Sequence, residues 1–281
     1  MTIGYQGEPF SYSHRVASRL FGEQAELIGF ASFQATFDAL DAGRVTKLVM
    51  PIENSTTGSI LPVLDRLLIH EVHITGERLQ EIQHALLAHP GATLETIRTV
   101  HSHPQALSQA EGAITRHGWD AQPEHDTAGA VRLVAERGDP AEACLAHPDS
   151  AAAHGLVVLL HNVVDRAHNT TRFVVLEPGH QRQIPADADK TTVAFETAHT
   201  PGALALALVE LGLRGANLSR IESRPTDTAW RYRMFVDVHH QPGRAGFDAV
   251  FRPQPTSMSN VQFLGTYPAA NPGDAPGAVG S

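Results

Sequence analysis

Four short polar segments of the sequence combine hydroxyls, amides and charged groups where apolar stretches end. They are YQGEPFSYSH at 5–14, PIENSTTGSI at 51–60, SHPQALSQ at 102–109 and NTTRF at 169–173. In the last segment, Thr171 and Arg172 stand directly ahead of a strand-like run that ends at Leu176. A hydroxyl donor beside a permanent cation is suited to binding an anion. The alternative for such a Thr-Arg pair is a capped loop that enters a sheet.

Other kinds of site lack their sequence signatures. The chain has no Gly-x-x-x-x-Gly-Lys-Ser/Thr loop, no Gly-x-Gly-x-x-Gly fingerprint and no Gly-x-Ser-x-Gly elbow,. It has 17 histidines but no His-Glu-x-x-His motif, and Cys144 is its only cysteine. We therefore expect no metal, no cofactor and no internal disulfide. The remaining interpretation is a cleft of neutral donors and arginine that binds a small polyanionic organic acid.

The overall charge indicates which partners to expect. Acidic residues number 30 against 21 basic ones, which gives a net charge of -9, and no basic run occurs. This composition argues against nucleic acid or an anionic membrane as the partner. The N-terminus lacks the pattern of a signal peptide, and no apolar run approaches the length that spans a bilayer. We expect a cytoplasmic protein.

Residues 1–180 alternate short apolar runs with stretches of helical spacing, which is typical of an α/β domain with a mainly parallel sheet. After an opening strand, further strands are predicted at 47–52, 71–77, 82–89, 96–103, 142–148 and 171–178. Helices are predicted within 18–23, 32–43, 61–70, 103–118 and 127–140.

The pattern changes after residue 180. The polar segment 178–189 contains two prolines and is predicted to be a linker,. A β-α-β-β-α-β order follows, which is typical of a ferredoxin-like unit. Its strands are predicted at 191–197, 218–225, 230–239 and 260–268, and its helices at 200–217 and 245–251. The Gly/Pro/Ala-rich residues 270–281 are predicted to be disordered.

Taken in order, these motifs resemble those of prephenate dehydratase. The opening segment 5–14, Pro51–Ser55, His103–Gln109 and the run from Asp165 to Phe173 match the catalytic part of that family. Gly202–Leu204 and Glu222–Pro225 resemble the Gly-Ala-Leu and Glu-Ser-Arg-Pro motifs of the ACT regulatory module. The likeness covers nearly the whole chain. Phe10 departs from it, because the family usually has a small residue there, and its bulk would reshape the cleft.

The resemblance implies a fold and domain boundaries. The expected fold is a two-lobed, periplasmic-binding-protein-like (type II) α/β catalytic domain over residues 1–180. Lobe 1 would comprise about 1–77 plus 165–180, and lobe 2 about 78–164. An α+β ferredoxin-like ACT domain would follow over 190–269.

The resemblance also implies a cofactor-free carbon–oxygen lyase that converts prephenate to phenylpyruvate in L-phenylalanine biosynthesis. Thr171 would donate a proton or a short hydrogen bond to the leaving oxygen, whereas Thr170 should point away. Arg172 would supply charge either to a substrate carboxylate or to the field around Thr171. Glu53 would stand beside a dianion, where it must either orient a donor or be protonated. The expected substrate-binding residues are Ser13, Glu53, Asn54, Ser55, Gln109, Thr127, Asn169 and Phe173.

In the same way, the resemblance implies feedback regulation by L-phenylalanine, bound between ACT domains of a homodimer or homotetramer. The expected effector residues are Gly202, Ala203, Leu204, Asn217, Glu222, Ser223 and Arg224. Because no helical chorismate-mutase segment precedes Met1, we expect an enzyme that catalyses this step alone. Two alternatives remain open, an arogenate dehydratase with the same motifs and a non-catalytic amino-acid sensor.

Overall fold

The computed structural model describes residues 1–165 and 169–271; of the tail predicted to be disordered, residues 272–281 lie outside this part. The strands are β1 Thr2–Gln6, β2 Glu26–Phe30, β3 Lys47–Asn54, β4 Gly58–Ser59, β5 Val72–Glu81, β6 Ala85–Ala88, β7 Thr99–Ser102, β8 Asp120–Pro123, β9 Glu142–Ala146, β10 Val157–Leu160, β11 Thr170–Pro178, β12 Lys190–Glu196, β13 Asn217–Pro225, β14 Tyr232–His239 and β15 Ser259–Tyr267. The helices are α1 Tyr12–Phe21, α2 Phe33–Asp41, α3 Leu61–Ile69, α4 Pro104–Gln109, α5 Glu111–His117, α6 Thr127–Arg137, α7 Ser150–Ala153, α8 Ala203–Leu213 and α9 Gly243–Phe251.

The first sheet has the strand order β2-β1-β3-β11-β5, and β4 pairs with β3. Strand β1 runs parallel to β2 and β3, whereas β11 runs antiparallel to both β3 and β5. Helices α2 and α3 pack Phe37 and Leu64 against Met50 of this sheet. The late strand β11 therefore lies in the middle of a sheet built from the first 81 residues.

The second sheet has the order β10-β6-β9-β7-β8. The chain enters it after β5 and returns to the first sheet at β11, so two connections join two separate lobes. Besides the two-residue β4, the sequence did not predict β2, β8 and β10, and these three lie at sheet edges. All four residues of β8 are exposed, which explains the missing signal, because an exposed strand carries no apolar alternation,.

The third sheet has the order β13-β14-β12-β15, all antiparallel, as a ferredoxin-like unit requires,. One face packs Val193 and Val236 against Phe251 of α9. The two-lobed α/β part and the predicted βαββαβ unit are thus both present. The prediction of a mainly parallel sheet is wrong, because the sheets of both lobes combine parallel and antiparallel pairs. The predicted alternation was too long, because β14 begins only at Tyr232 and Trp230 is exposed.

The other face of the third sheet packs against the first lobe. Phe235 and Tyr267 belong to the same buried cluster as Leu176 of β11. At Gly265 the backbones approach so closely that a Cβ would lie 2.2 Å from the carbonyl oxygen of Ile74. The predicted linker contains no helix or strand over 179–189 and is held down by hydrogen bonds at Gly179 and Gln181. In the described part of the chain, no helix is long and apolar enough to cross a membrane.

Candidate active site

A cavity of about 360 Å³ lies between the two lobes. Its volume is in the range of pockets that enclose small organic molecules. Residues from both lobes and from the returning strand β11 line it: Gln6, Gly7, Ser11, Tyr12, Ser13, Phe33, Pro51, Asn54, Thr57, Ile60, Ile82, His84, His103, Gln105, Ala106, Gln109, Asp126, Thr127, Asn169, Thr171 and Phe173.

Strand β11 presents alternate residues to this cavity. Thr171 and Phe173 line it, whereas Thr170 and Arg172 do not. Successive side chains of a strand point to opposite faces, so this division follows from the strand geometry. On the paired strand β3, Pro51 and Asn54 reach the same cavity because a bulge shifts the register between Arg172 and Phe173,.

The Thr171 hydroxyl is held by Asn54. Asn54 Nδ2 donates to Thr171 Oγ1 at 2.9 Å, and both side chains are buried. The orientation of the amide is fixed because the backbone N–H groups of Thr56 and Thr57 donate to Asn54 Oδ1 at 3.0 and 3.1 Å,. Because Thr171 Oγ1 already accepts a hydrogen bond from Asn54, the hydroxyl proton of Thr171 points away from Asn54. Towards the cavity it would meet a bound substrate.

A chain of amides extends this support across the cleft. Asn54 Nδ2 also donates to Asn169 Oδ1 at 2.7 Å, and Asn169 Nδ2 donates to Gln109 Oε1 at 2.8 Å. Gln109 belongs to α4 in the second lobe, and its Nε2 lies 3.3 Å from Thr56 Oγ1. The hydroxyl is therefore positioned by a network that both lobes contribute to.

Four helices begin at the cavity. The N-cap residues of α1, α3, α4 and α6, which are Ser11, Ile60, His103 and Asp126, all line it. The N-terminus of a helix carries a partial positive charge and free backbone N–H groups, and both favour anions. None of the lining residues in the described part of the chain is lysine or arginine. In this cavity the helix N-termini, rather than a guanidinium, are placed to meet an anionic ligand,.

Two histidines, His84 buried and His103 half-buried, also line the cavity. Burial lowers the pKa of His84 to about 4 and also lowers the pKa of His103. Both imidazoles are therefore uncharged at neutral pH. The Nδ1 atom of His84 is buried and has no hydrogen-bond partner among the described residues. No local pattern distinguished His84, which falls inside a predicted strand, so sequence reasoning missed it.

Arg172 lies on the opposite side of β11 from the cavity. Its Nε, Nη1 and Nη2 atoms bond to Glu53 at 3.1 Å, Glu77 at 2.9 Å and Asp237 at 2.5 Å. Burial alone lowers the pKa of Arg172, but the negative groups around it, Asp237 first, raise it well above the usual value. All three nitrogens are paired with protein carboxylates, which leaves none of them directed at the cavity. The other expected role of Arg172, a charge in the field around Thr171, stays a prediction.

Glu53 and Ser55 are also placed outside the cavity lining. Glu53 faces Arg172, so the expected conflict between its carboxylate and a dianionic ligand does not arise. Ser55 supports the strand instead, since its hydroxyl accepts from Thr170 N at 2.9 Å and its N–H donates to Thr170 O at 2.8 Å. Of the expected substrate-binding residues, the cavity brings together Ser13, Asn54, Gln109, Thr127, Asn169 and Phe173.

Phe10 lies near the cleft but does not line the cavity. It adopts a left-handed backbone conformation with φ 69°, and its ring meets His154 of the second lobe edge-on at 5.7 Å. Salt bridges from Glu8 to Arg132 and from Arg15 to Asp149 join the lobes on the same side. The ring of Phe10 therefore makes a contact between the lobes and does not line the cavity.

A second cavity of about 940 Å³ lies in the βαββαβ unit. Gly202, Ala203 and Leu204 line it, as do Glu196 and Arg231. The other expected effector residues, Asn217, Glu222, Ser223 and Arg224, lie on the edge strand β13 and do not line it. In the described residues, no group of three or more His, Cys, Asp or Glu is arranged to hold a metal ion.

Comparison with known proteins gives consistent results. The profile of the prephenate dehydratase family matches residues 3–181. The chain is 36% identical over 228 residues to arogenate dehydratase/prephenate dehydratase 2 of Arabidopsis thaliana, covering 79% of this chain but only 58% of that protein. It is 33% identical to the bifunctional N-acyl-homoserine lactone acylase/prephenate dehydratase of Komagataeibacter europaeus, covering 95% of this chain and 96% of the relative.

A solved structure resembles most of the chain. The prephenate dehydratase of Arthrobacter aurescens, determined in complex with L-Phe, superposes with a TM-score of 0.81 at 29% identity. The match covers 98% of this chain and 94% of the other. It therefore includes the βαββαβ unit as well as the two lobes.

Proposed function

The chain belongs to the prephenate dehydratase family, and we propose that it converts prephenate to phenylpyruvate with loss of water and carbon dioxide. This reaction would make it a carbon–oxygen lyase of L-phenylalanine biosynthesis. The observation that carries the proposal is the Thr171 hydroxyl, whose oxygen is fixed by Asn54 at 2.9 Å in a cavity that no described lysine or arginine lines.

The proposed chemistry needs little beyond orientation. The bond between the ring and its carboxylate breaks, its electron pair enters the ring, and the ring C–O bond breaks as hydroxide leaves. Thr171 donates a proton or a short hydrogen bond to that departing oxygen. Helix N-termini hold the carboxylates, and aromatisation supplies the driving force. The residues of the chain thus bind, orient and stabilise developing charge on the leaving oxygen.

The direct test is the formation of phenylpyruvate from prephenate by the purified protein, before and after a chelator wash. We expect the same kcat in both samples, because no described residue group suits a metal ion. Turnover that disappears on chelation and returns with added metal would contradict the proposed mechanism. If neither prephenate nor arogenate is turned over, the proposed function is wrong.

Arogenate dehydratase is the second candidate, supported by the plant relative that carries both activities in its name. Arogenate has an ammonium group where prephenate has a keto group, so its recognition favours a carboxylate. Asp126 is the only carboxylate residue among those found to line the cavity in the described chain, and its Oδ1 caps α6 at Gly129 N, 2.6 Å away. We therefore expect the higher kcat/KM with prephenate, measured on both substrates with one preparation.

We further propose that residues 190–269 form an ACT domain that binds L-phenylalanine. The Arthrobacter aurescens structure in complex with L-Phe supports this, as does the cavity lined by Gly202, Ala203 and Leu204. Arg231 and Glu196 in its lining offer opposite charges, which suit the two charged groups of an amino acid,. Isothermal titration with L-phenylalanine tests the proposal, and D-phenylalanine serves as the control.

Self-association is proposed on separate observations. On α8, Leu206, Val209 and Leu213 are 65%, 58% and 84% exposed, which leaves an apolar stripe on the helix that precedes the edge strand β13 in the chain. Such a stripe is typical of a contact surface. Pairing there would also bring a second copy near Asn217 and Glu222, the expected effector residues that the cavity of one chain does not include. Sedimentation analysis of wild type and Leu213→Glu distinguishes a dimer or tetramer from a monomer.

A further inference from the structure

A buried ionic cluster joins the first lobe to the βαββαβ unit. It contains three cations and three carboxylates, and its pairs lie between 2.5 and 3.1 Å apart. The carboxylates of Glu77 and Asp237 are almost completely buried, with 2% and 1% of each side chain exposed. The members are Glu53, Glu77, Arg172, Lys190, Arg220 and Asp237.

Asp237 is the carboxylate that the βαββαβ unit contributes. It lies on β14, on the face that packs against the first lobe, because the neighbouring Val236 and Val238 point to the other face. Asp237 Oδ2 accepts from Arg172 at 2.5 Å and from Arg220 at 2.7 Å, while Thr192 Oγ1 donates to Oδ1 at 2.7 Å. Burial raises the pKa of Asp237, but Arg172 and Arg220 lower it further, so the group is ionised.

Arg172, one of the two arginines that Asp237 binds, directly follows Thr171 in strand β11. Arg172 is bonded to carboxylates on three strands, β3, β5 and β14, so the backbone of β11 is fixed from three directions at this residue. Thr171 lies one residue away on the same strand and points to the cavity. A change in the tilt or register of β11 at Arg172 must move the Thr171 hydroxyl relative to a bound substrate.

We propose that Asp237, in the C-terminal unit, is a positioning residue for the reaction, acting through Arg172 on the orientation of Thr171. This inference rests on the proposed dehydratase function. The C-terminal unit then holds the catalytic strand β11 in position, in addition to binding any effector. A movement of that unit away from the first lobe would withdraw Asp237 from Arg172, and it would lower kcat more than it raises KM.

The first experiment compares Asp237→Asn with Asp65→Asn in the full-length protein. Asp65 forms an ion pair between the same two units outside the cluster, with Arg224 at 2.7 Å, and it lies on α3 rather than on a strand that pairs with β11. We expect kcat to fall by roughly 10- to 100-fold in Asp237→Asn, as for small misplacements of reacting groups. KM for prephenate should change by less than about threefold, since the residues that line the cavity are unchanged. Asp65→Asn should keep both constants.

Non-additivity separates positioning from a general loss of structure. If Asp237 acts through Thr171, adding Asp237→Asn to Thr171→Ala should lower kcat no further, whereas a purely structural role predicts that the two losses multiply. Should Asp237→Asn fail to fold, the charge-balanced Arg220→Met/Asp237→Asn variant replaces it in the same cycle. That variant removes one cation together with the carboxylate and leaves Arg172 paired with Glu53 and Glu77.

The outcomes are distinct. A folded Asp237→Asn protein with the kcat of wild type, or multiplicative losses in the double variant, would overturn the inference and leave the dehydratase assignment intact. A wild-type protein that turns over neither prephenate nor arogenate would instead remove the proposed function on which the inference rests. A selective fall in kcat that vanishes in the Thr171→Ala background would support both.

Discussion

The two faces of β11 differ completely in how they use charge. On the cavity face, Thr171 is surrounded by amides, hydroxyls and helix N-termini, and no lysine or arginine lines the cavity in the described residues. On the opposite face, Arg172 is buried among three carboxylates. Permanent charge therefore holds the strand in place, while neutral dipoles face the ligand.

The proposed reaction would explain why this division is useful. As prephenate loses carbon dioxide, the negative charge on its ring carboxylate disappears and negative charge grows on the departing oxygen. A guanidinium beside that carboxylate would stabilise the bound substrate more than the transition state, and would slow the step. Helix N-termini and amides bind the dianion more weakly, and the Thr171 hydroxyl can be aimed at the oxygen where charge develops.

The largest expected effect follows from removing the hydroxyl on the cavity face. Thr171→Ala should lower kcat by roughly 10²–10⁴, the usual contribution of a general acid. Thr170→Ala is the matched control, because its side chain lies off the cavity and the variant should stay within about threefold of wild type. Initial rates of phenylpyruvate formation measure both variants. Full activity in Thr171→Ala with loss in Thr170→Ala would reverse the assignment of the two faces.

A smaller loss of kcat is expected for Asn54→Asp, which reverses the direction of the hydrogen bond between residue 54 and Thr171. In Asn54→Asp the new carboxylate cannot donate, so the Thr171 proton would be drawn to it and away from the substrate. We expect kcat to fall about 10²-fold, which corresponds to about 2.7 kcal/mol of barrier. Asn162→Asp makes the same change outside the cavity lining and should have no such effect. Equal rates for Asn54→Asp and wild type would show that this bond does not orient the hydroxyl.

The uncharged state of His84, which lines the cavity, can be tested through the pH dependence of the free energy of unfolding. The pKa of His84 is lowered from 6.5 to about 4, so between these values the unfolded chain binds a proton that the folded chain does not. Stability should therefore fall as the pH decreases through this window, by about 2 kcal/mol at pH 5 from His84 alone. Urea unfolding at pH 7 and pH 5 should show a smaller difference for His84→Gln than for wild type. An unchanged difference would mean that His84 is protonated in the folded protein.

The sequence already contained the distinction between the two faces. Strand alternation predicted that Thr170 points away from Thr171, and the same rule places Arg172 on the face of Thr170. The expected contact of Arg172 with a substrate was implied by family resemblance and conflicted with that rule. The pairing of Arg172 with Asp237 was beyond prediction, because the two residues lie 65 positions apart in different units.

Other features could be predicted only where the signal was local. The capped start of α6 at Asp126 and Thr127 follows from residue types over one turn,. His84 has no such signal, since its role depends on burial and on the ring of Tyr12, which comes from a distant part of the chain. The edge strands β8 and β10 were missed because edge strands bury too little to show a clear period,.

The smallest effect on stability and on kcat is expected from breaking the ion pair between Arg224 and Asp65, which is partly exposed to solvent. Arg224 and Asp65 join the same two units as Arg172 and Asp237, with two hydrogen bonds of 2.8 and 2.7 Å, but the Asp65 side chain is 42% exposed. Water screens such a pair, so Asp65→Asn should change the free energy of unfolding by less than about 1 kcal/mol and leave kcat unchanged. Thermal unfolding and steady-state rates of the same preparation measure both quantities. A loss of kcat as large as that expected for Asp237→Asn would mean that docking of the two units, rather than the contact at Arg172, controls the catalytic strand.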